Sequence, residues 1–158
     1  MTERAPLLCL LSGAPVAEII DAGGGLCAIR YLPDVVAEAP GARLLSVRLP
    51  VRAETYPAMA EPMPFLDGVL PEGWVRDRYA EAARLPSTDT FGLLARYGRD
   101  CAGAIALVAP GDEPAPSGVT WLTDDELVGI VNDLQIRPLG AGTPGVRLSL
   151  GGVQEKLV

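Results

Sequence analysis

The sequence predicts an α+β fold: a small antiparallel sheet followed by helices, ending in a glycine-turn β-hairpin. Three observations carry that expectation. Period-two alternation of apolar residues marks the first fifty residues, helical spacing takes over after Met63, and Gly151-Gly152 separates two short strand-like runs near the carboxyl end. With 158 residues, 49% of them hydrophobic, the chain is long enough for one domain of ordinary size to bury a core.

Leu7 to Leu11 and Val16 to Ile20 flank Ser12-Gly13-Ala14-Pro15, whose glycine and proline suit a reversal between two strands. Asp21 to Gly25 supplies a second turn, and Leu26 to Leu32 alternates again. After a loop bearing proline and glycine, Leu44 to Leu49 alternates in the same way and predicts a further strand ended by Pro50. Phe65, Leu66, Val69 and Leu70 then fall on one helical face, and Pro71 suits the first position of the next helix. In that helix Trp74, Val75, Tyr79 and Ala82 form an apolar stripe, with Arg76, Asp77, Arg78 and Glu81 expected to face water. Ser87-Thr88-Asp89 offers N-caps for a short helix buried through Phe91, Leu93 and Leu94 and stopped at Gly98. Ala104 to Val108 reads as a strand and Pro110 to Gly118 as an exposed loop. Thr123 with Glu126 makes a capping box for a helix carrying Leu127, Ile130, Val131 and Leu134. Val146 to Leu150 and Val153 to Val158 close the chain as two strands about the glycine pair.

Composition narrows the chemistry. Histidine is absent, which removes serine–histidine triads, cysteine–histidine pairs and imidazole ligands for zinc. The net charge is -7, and the basic residues, twelve arginines and the single lysine Lys156, are scattered rather than gathered into a stripe, so no direct contact with nucleic acid is expected. Cys9, Cys27 and Cys101 are odd in number and flanked by apolar or small residues, which suits buried, reduced thiols and a cytoplasmic location. No run reaches the roughly 20 apolar residues of a membrane helix, and Leu7 to Leu11 is too short for a signal peptide.

Two polar clusters deserve a chemical reading. Gly151-Gly152 permits both an ordinary hairpin turn and a close approach of backbone N–H groups to a phosphate, with Ser149, Gln154, Glu155 and Lys156 beside it. Arg99 and Asp100, in Gly98 to Gly103, suit either a local ion pair or a brace for a neighbouring lobe. Asp124, Asp125 and Glu126 oppose the positive end of a helix dipole, and no metal site is expected there.

The order of the motifs resembles the HipA-like serine/threonine kinase toxins of bacterial toxin–antitoxin modules. Phe65-Leu66-Asp67-Gly68-Val69-Leu70-Pro71-Glu72-Gly73 is similar to that family's segment leading into a helix; Arg76 and Arg78 follow, then Asp89-Thr90-Phe91-Gly92-Leu93-Leu94 and Gly98 to Ala104. Arg147 to Lys156 resembles the loop that covers the ATP phosphates in these kinases. The resemblance implies that Gly151, Gly152, Val153, Gln154, Glu155 and Lys156 contact the nucleotide and that Ser149 is the autophosphorylated serine. It further implies ATP and magnesium in the complete kinase, a HipB-like antitoxin partner and a protein substrate.

By the same comparison, residues 1–110 correspond to the family's first N-terminal subdomain, and 111–158 to the start of a kinase-like nucleotide-binding lobe. The catalytic aspartate and the magnesium ligands would follow Val158, so no catalytic residue is assigned and the chain alone is expected to be inactive. Two functions stay open: the N-terminal fragment of such a kinase, and a stand-alone antitoxin-like protein that binds a separate kinase chain.

Overall fold

The computed structural model describes residues 4–101, 104–112 and 121–133. Four strands, β1 (Leu7–Leu11), β2 (Ala14–Gly23), β3 (Leu26–Tyr31) and β4 (Ile105–Val108), form one sheet in the order β3-β2-β1-β4. Every neighbouring pair is antiparallel. The two hairpins follow the turns legible in the sequence, and β4 returns after the helices to pair with β1 along Leu8–Val108 and Cys9–Leu107. One face of the sheet, carrying Cys9, Ala17, Ile19, Cys27 and Ile29, is sealed from water and forms the core with Leu66, Phe91 and Leu94.

Five helices complete the described residues: α1 (Pro33–Glu38), α2 (Pro62–Asp67), α3 (Gly73–Ala83), α4 (Thr90–Tyr97) and α5 (Asp124–Asp133). Helix α1 falls where the sequence predicts only a loop. Pro33 stands at its first position and Asp34 in its first turn, but six residues are too few to display a helical period.

The strand predicted over Leu44–Leu49 does not form; these residues make turns and bends. The place beside β3 is taken by Tyr56, whose N–H donates to the Ile29 carbonyl (2.8 Å) and whose carbonyl accepts the Ile29 N–H (3.2 Å). Tyrosine hydroxyls also claim carbonyls nearby: Tyr31 donates to Leu49 O at 2.5 Å and Tyr56 to Pro50 O at 2.6 Å. Leu49 and Val51 are thereby buried as single anchors, and the Leu49 N–H closes a turn on Ser46 O (3.0 Å). Burial pushes the Tyr31 hydroxyl up to about 12, so it stays a donor at any physiological pH.

In α3 the buried residues are Val75, Tyr79 and Ala80. Trp74, expected in the apolar stripe, is 51% exposed, and Ala82 is exposed as well. The helix begins at Gly73, two residues after the proline predicted to open it, and its buried face runs through Val75, Tyr79 and Ala80, which leaves Trp74 outside the contact. Helix α4 starts as expected: Asp89 Oδ1 accepts the Gly92 N–H at 2.9 Å.

Asp89 also joins the amino-terminal segment to the sheet. Arg4 donates to both its carboxylate oxygens (2.9 and 3.1 Å) and to Asp21 Oδ2 (2.6 Å), while its guanidinium lies 4.7 Å from the Phe91 ring centre. Asp21 Oδ1 accepts the Gly23 N–H at 2.9 Å. The hydrogen bond from Arg4 is the main cause holding the Asp21 carboxyl below its usual range, and it raises Arg4 in turn. Between these charges the β2–β3 turn touches the helix start, with the Phe91 N–H donating to Gly25 O at 3.1 Å.

Two outcomes are expected. Gly25 has φ +84°, and a β-carbon there would lie 2.6 Å from both Asp89 Cα and Thr88 O; Gly24, at φ +63°, has open space around it. In urea denaturation Gly24→Ala is expected to cost about 1 kcal/mol from the left-handed backbone alone. Gly25→Ala is expected to cost about 2 kcal/mol more, with faster amide exchange at Phe91. Equal losses for the two would show that the turn does not press on α4.

The second concerns acid. Because the folded carboxyl of Asp21 is lowered, its contribution is complete above the ordinary carboxylate range and is lost as pH falls through that range toward the folded value. Asp21→Asn is expected to flatten the fall in melting temperature between about pH 5 and pH 2. An unchanged acid limb would remove Asp21 from that role.

Candidate functional site

The nucleotide-contact residues implied by the sequence, Gly151, Gly152, Val153, Gln154, Glu155 and Lys156, lie outside the described residues, as does Ser149. The hairpin expected over 146–158 lies outside them too. What the structure does describe is where the remaining motif segments meet.

Three of those segments converge on one guanidinium. Arg76 of α3 donates through Nε to Ser87 O (2.7 Å), and through one terminal nitrogen to Asp67 Oδ1 (3.0 Å) and Thr90 Oγ1 (2.8 Å). Thr90 Oγ1–H in turn donates to Asp67 Oδ1 at 2.7 Å. Asp67 ends α2, Thr90 opens α4, and Ser87 lies in the turn between α3 and α4, so one side chain ties three helices together. Arg76 was expected to face water, yet its side chain is only 17% exposed. Nothing in the local helical pattern could reveal this, because its partners are tertiary. Thr90, 1% exposed, is the only buried polar residue among those described, and the hub satisfies it.

The second polar cluster is also structural. Arg99, in the short 3-10 turn after α4, pairs with Asp112 beyond the end of β4 and so links the residues before and after that strand. On the sheet, Glu18 of β2 pairs with Arg30 of β3 at 2.6 Å, beside an open cleft of about 540 Å³ that also reaches Tyr31, Pro33 and Val36. The cleft's two charges thus neutralise each other.

The thiols offer no nucleophile. Cys9, Cys27 and Cys101 are buried and form no disulfide with one another, and burial pushes both Cys9 and Cys27 up to about 12. Cys101 donates to Gly98 O at 3.2 Å. Among the described residues no group of three or more histidine, cysteine or acidic side chains could hold a metal ion, and no helix is long and apolar enough to cross a membrane.

Helix α5 stands apart from this arrangement. Its capping box forms as the sequence predicts, with Glu126 Oε2 accepting the Thr123 N–H at 2.8 Å and Thr123 Oγ1 accepting the Glu126 N–H at 3.3 Å. The Thr123 backbone N–H holds Glu126 below the usual carboxylate range. Its apolar residues Leu127, Val128 and Val131 are nevertheless exposed.

Residues 7–108 match the family model of the HipA N-terminal domain. A protein of Sinorhizobium fredii named "Putative kinase Y4mE" is 40% identical over 119 residues, 72% of this chain and 28% of that protein. The serine/threonine-protein kinase toxin HipA of Shewanella oneidensis is 32% identical over 93 residues, 59% of this chain and 22% of that one. Among solved structures, a chain of the Shewanella oneidensis complex of HipA, HipB and operator DNA superposes with a TM-score of 0.65 at 26% identity, covering 93% of this chain and 34% of that chain. The chain thus spans about a third or less of the proteins it matches. Its sheet, helices α1 to α4 and the motif segments gathered around Arg76 fall within the matched region, and the chain belongs to the HipA N-terminal domain family.

Proposed function

We propose that this chain provides the amino-terminal part of a HipA-type serine/threonine kinase, the toxin of a toxin–antitoxin pair. The observation that carries the reading is the 40% identity to a protein named as a kinase, over a length greater than the family model spans. In this reading residues 4–112 are a braced platform, and 151–156 supply backbone donors and Lys156 to the phosphates of ATP. Ser149, two residues before the glycine pair, is the serine that becomes phosphorylated.

The described side chains do not themselves fit a magnesium nucleotide. No acidic group among them is arranged for a metal, and the guanidiniums of Arg4, Arg30, Arg76, Arg78 and Arg99 are each paired with carboxylates. Phosphoryl transfer needs a base for the substrate hydroxyl and charge stabilisation by metal, and this reading assigns both to the part of a HipA-type protein that lies outside the match. The 158 residues are therefore a scaffold for catalysis performed jointly with that part. A HipB-type antitoxin is the proposed regulatory partner, as in the Shewanella complex. The buried, reduced thiols agree with a cytoplasmic setting.

A second reading, an antitoxin-like binding protein for a separate kinase chain, is favoured by the exposed apolar residues of α5. The two diverge in one experiment. Joined to the remaining part of the Sinorhizobium fredii relative, the chain is expected to transfer labelled phosphate from ATP in the presence of magnesium. Lys156→Ala should reduce that transfer at least about a hundredfold, the loss typical of a removed phosphate-stabilising charge, and Ser149→Ala should abolish self-labelling. The purified 158 residues should transfer none. Magnesium-dependent transfer by the chain alone would overturn the scaffold assignment; inhibition of a separate kinase by the chain, without any transfer by the joined protein, would favour the antitoxin.

A further inference from the structure

Strand β3 is an edge of the sheet, and its own chain closes that edge everywhere but at one residue. Tyr56 exchanges both of its hydrogen bonds with Ile29 from the outer side, while the Leu32 N–H points inward to Val16 O (3.0 Å). Main-chain directions alternate along an extended strand, so Cys27, Ile29 and Tyr31 all turn their polar groups away from β2. The Cys27 N–H is taken by Met63 Sδ at 3.3 Å, and Ile29 is held by Tyr56. The Tyr31 N–H and carbonyl make no hydrogen bond among the described residues.

Pairing stops at Tyr31 for a local reason. Run on from Ile29–Tyr56, an antiparallel ladder would set Glu54 opposite Tyr31, but the Glu54 carbonyl accepts from Arg52 Nε (3.2 Å) and the Thr55 carbonyl from Arg52 Nη2 (3.4 Å). Arg52 is itself fixed over the Tyr56 ring, 3.5 Å from its centre. The segment before Tyr56 therefore bends away, and the open cleft of about 540 Å³ is lined by both Tyr31 and Ala53. Pro33, which has no N–H, ends the edge just beyond.

The walls of the cleft define what can fill it. On an added strand the residue opposite Tyr31 shares its buried face, and the neighbours on either side share the face of Arg30 and Leu32. One neighbour meets Leu32, Pro33 and Val36; the other meets the Glu18–Arg30 pair. That pair uses Glu18 Oε2 twice, from Arg30 Nε (3.0 Å) and Nη2 (2.6 Å), which leaves Glu18 Oε1 as an acceptor and Arg30 Nη1 as a donor. A side-chain carboxamide offers one group to each, whereas a charged side chain would face a like charge.

We infer that the Tyr31 edge is a binding site for a short extended peptide, which adds one rung to β3 and sets an apolar side chain and an asparagine or glutamine on either side of a small central residue. Main-chain pairing holds the segment, and the cleft reads its flanks. The site stands on the sheet edge alone and is independent of the kinase reading.

The test follows the backbone amides of the full 158-residue chain by NMR, with a capped pentapeptide as probe. The peptide has alanine at its centre and glutamine and leucine on the two sides, made in both orders because an open rung accepts either strand direction. One order is expected to give saturable shifts at Tyr31 and Val36 at millimolar peptide. Methylating the central peptide nitrogen removes the donor to the Tyr31 carbonyl, and replacing the glutamine by glutamate brings a carboxylate to Glu18; each is expected to weaken binding about tenfold. Ala53→Trp, at an exposed position on the cleft wall, is expected to abolish the shifts while leaving the thermal transition in place. Undiminished binding of the methylated peptide or by Ala53→Trp overturns the inference, as does the lack of a saturable Tyr31 shift with either order. Without peptide, nuclear Overhauser contacts from 134–158 to Tyr31 would make that segment the occupant, and Tyr31 shifts that grow with chain concentration would make it a second copy; either sinks the proposal.

Discussion

The fold depends on Asp89 doing three things at one place. Its carboxylate caps α4 through the Gly92 N–H, receives both terminal nitrogens of Arg4, and sits on a backbone pressed against Gly25 in the β2–β3 turn. A helix cap is worth about 1 kcal/mol, a modest sum in isolation. Here the same group fixes where the helix starts relative to the sheet, because Arg4 reaches from Asp89 to Asp21 on β2. With that start set, Phe91, Leu93 and Leu94 are committed to the core, and the chain after α4 is aimed toward the open edge of β1, where β4 pairs.

The Arg76 hub extends the constraint to the other helices. Asp67, Arg76 and Thr90 come from three separate sequence segments, and their three side chains meet in one hydrogen-bonded group. Such a group is costly when incomplete and stabilising when every partner is present. Here, among the described residues, no buried side-chain nitrogen or oxygen lacks a partner. The motifs thus encode the mutual placement of α2, α3 and α4, a structural demand that explains residues otherwise taken for solvent-facing charges.

Sequence patterns revealed the parts of this architecture that are local. Both hairpins of the sheet, the Asp89 cap and the Thr123–Glu126 box all announce themselves within a few residues, through glycine turns, alternation or a hydroxyl and acid three apart. What stayed hidden was set by distant partners. Leu44 to Leu49 alternates like a strand, but Tyr56 occupies the bridge to Ile29 and tyrosine hydroxyls use nearby carbonyls. Arg76 looks like any charge on an amphipathic helix until α2 and α4 close around it. The nucleotide contacts expected at 151–156 rest on family resemblance alone, since by sequence a glycine pair suits a turn as well as a phosphate cradle.

The division of labour within the chain follows from how its charge is spent. Across residues 4–112 the arginines that pack against the fold find acids of the same chain: Arg4 with Asp21 and Asp89, Arg76 with Asp67, Arg99 with Asp112. Those pairs tie the amino-terminal segment, the helices and the end of the sheet together, and burial pushes the Cys9 and Cys27 thiols up to about 12. Beyond the strand that completes the sheet the balance inverts. Helix α5 carries unpaired apolar surface and acidic side chains with no basic residue of its own. A module that satisfies its polar groups internally and exposes apolar groups on one late helix is suited to hold its own shape while being built into something larger.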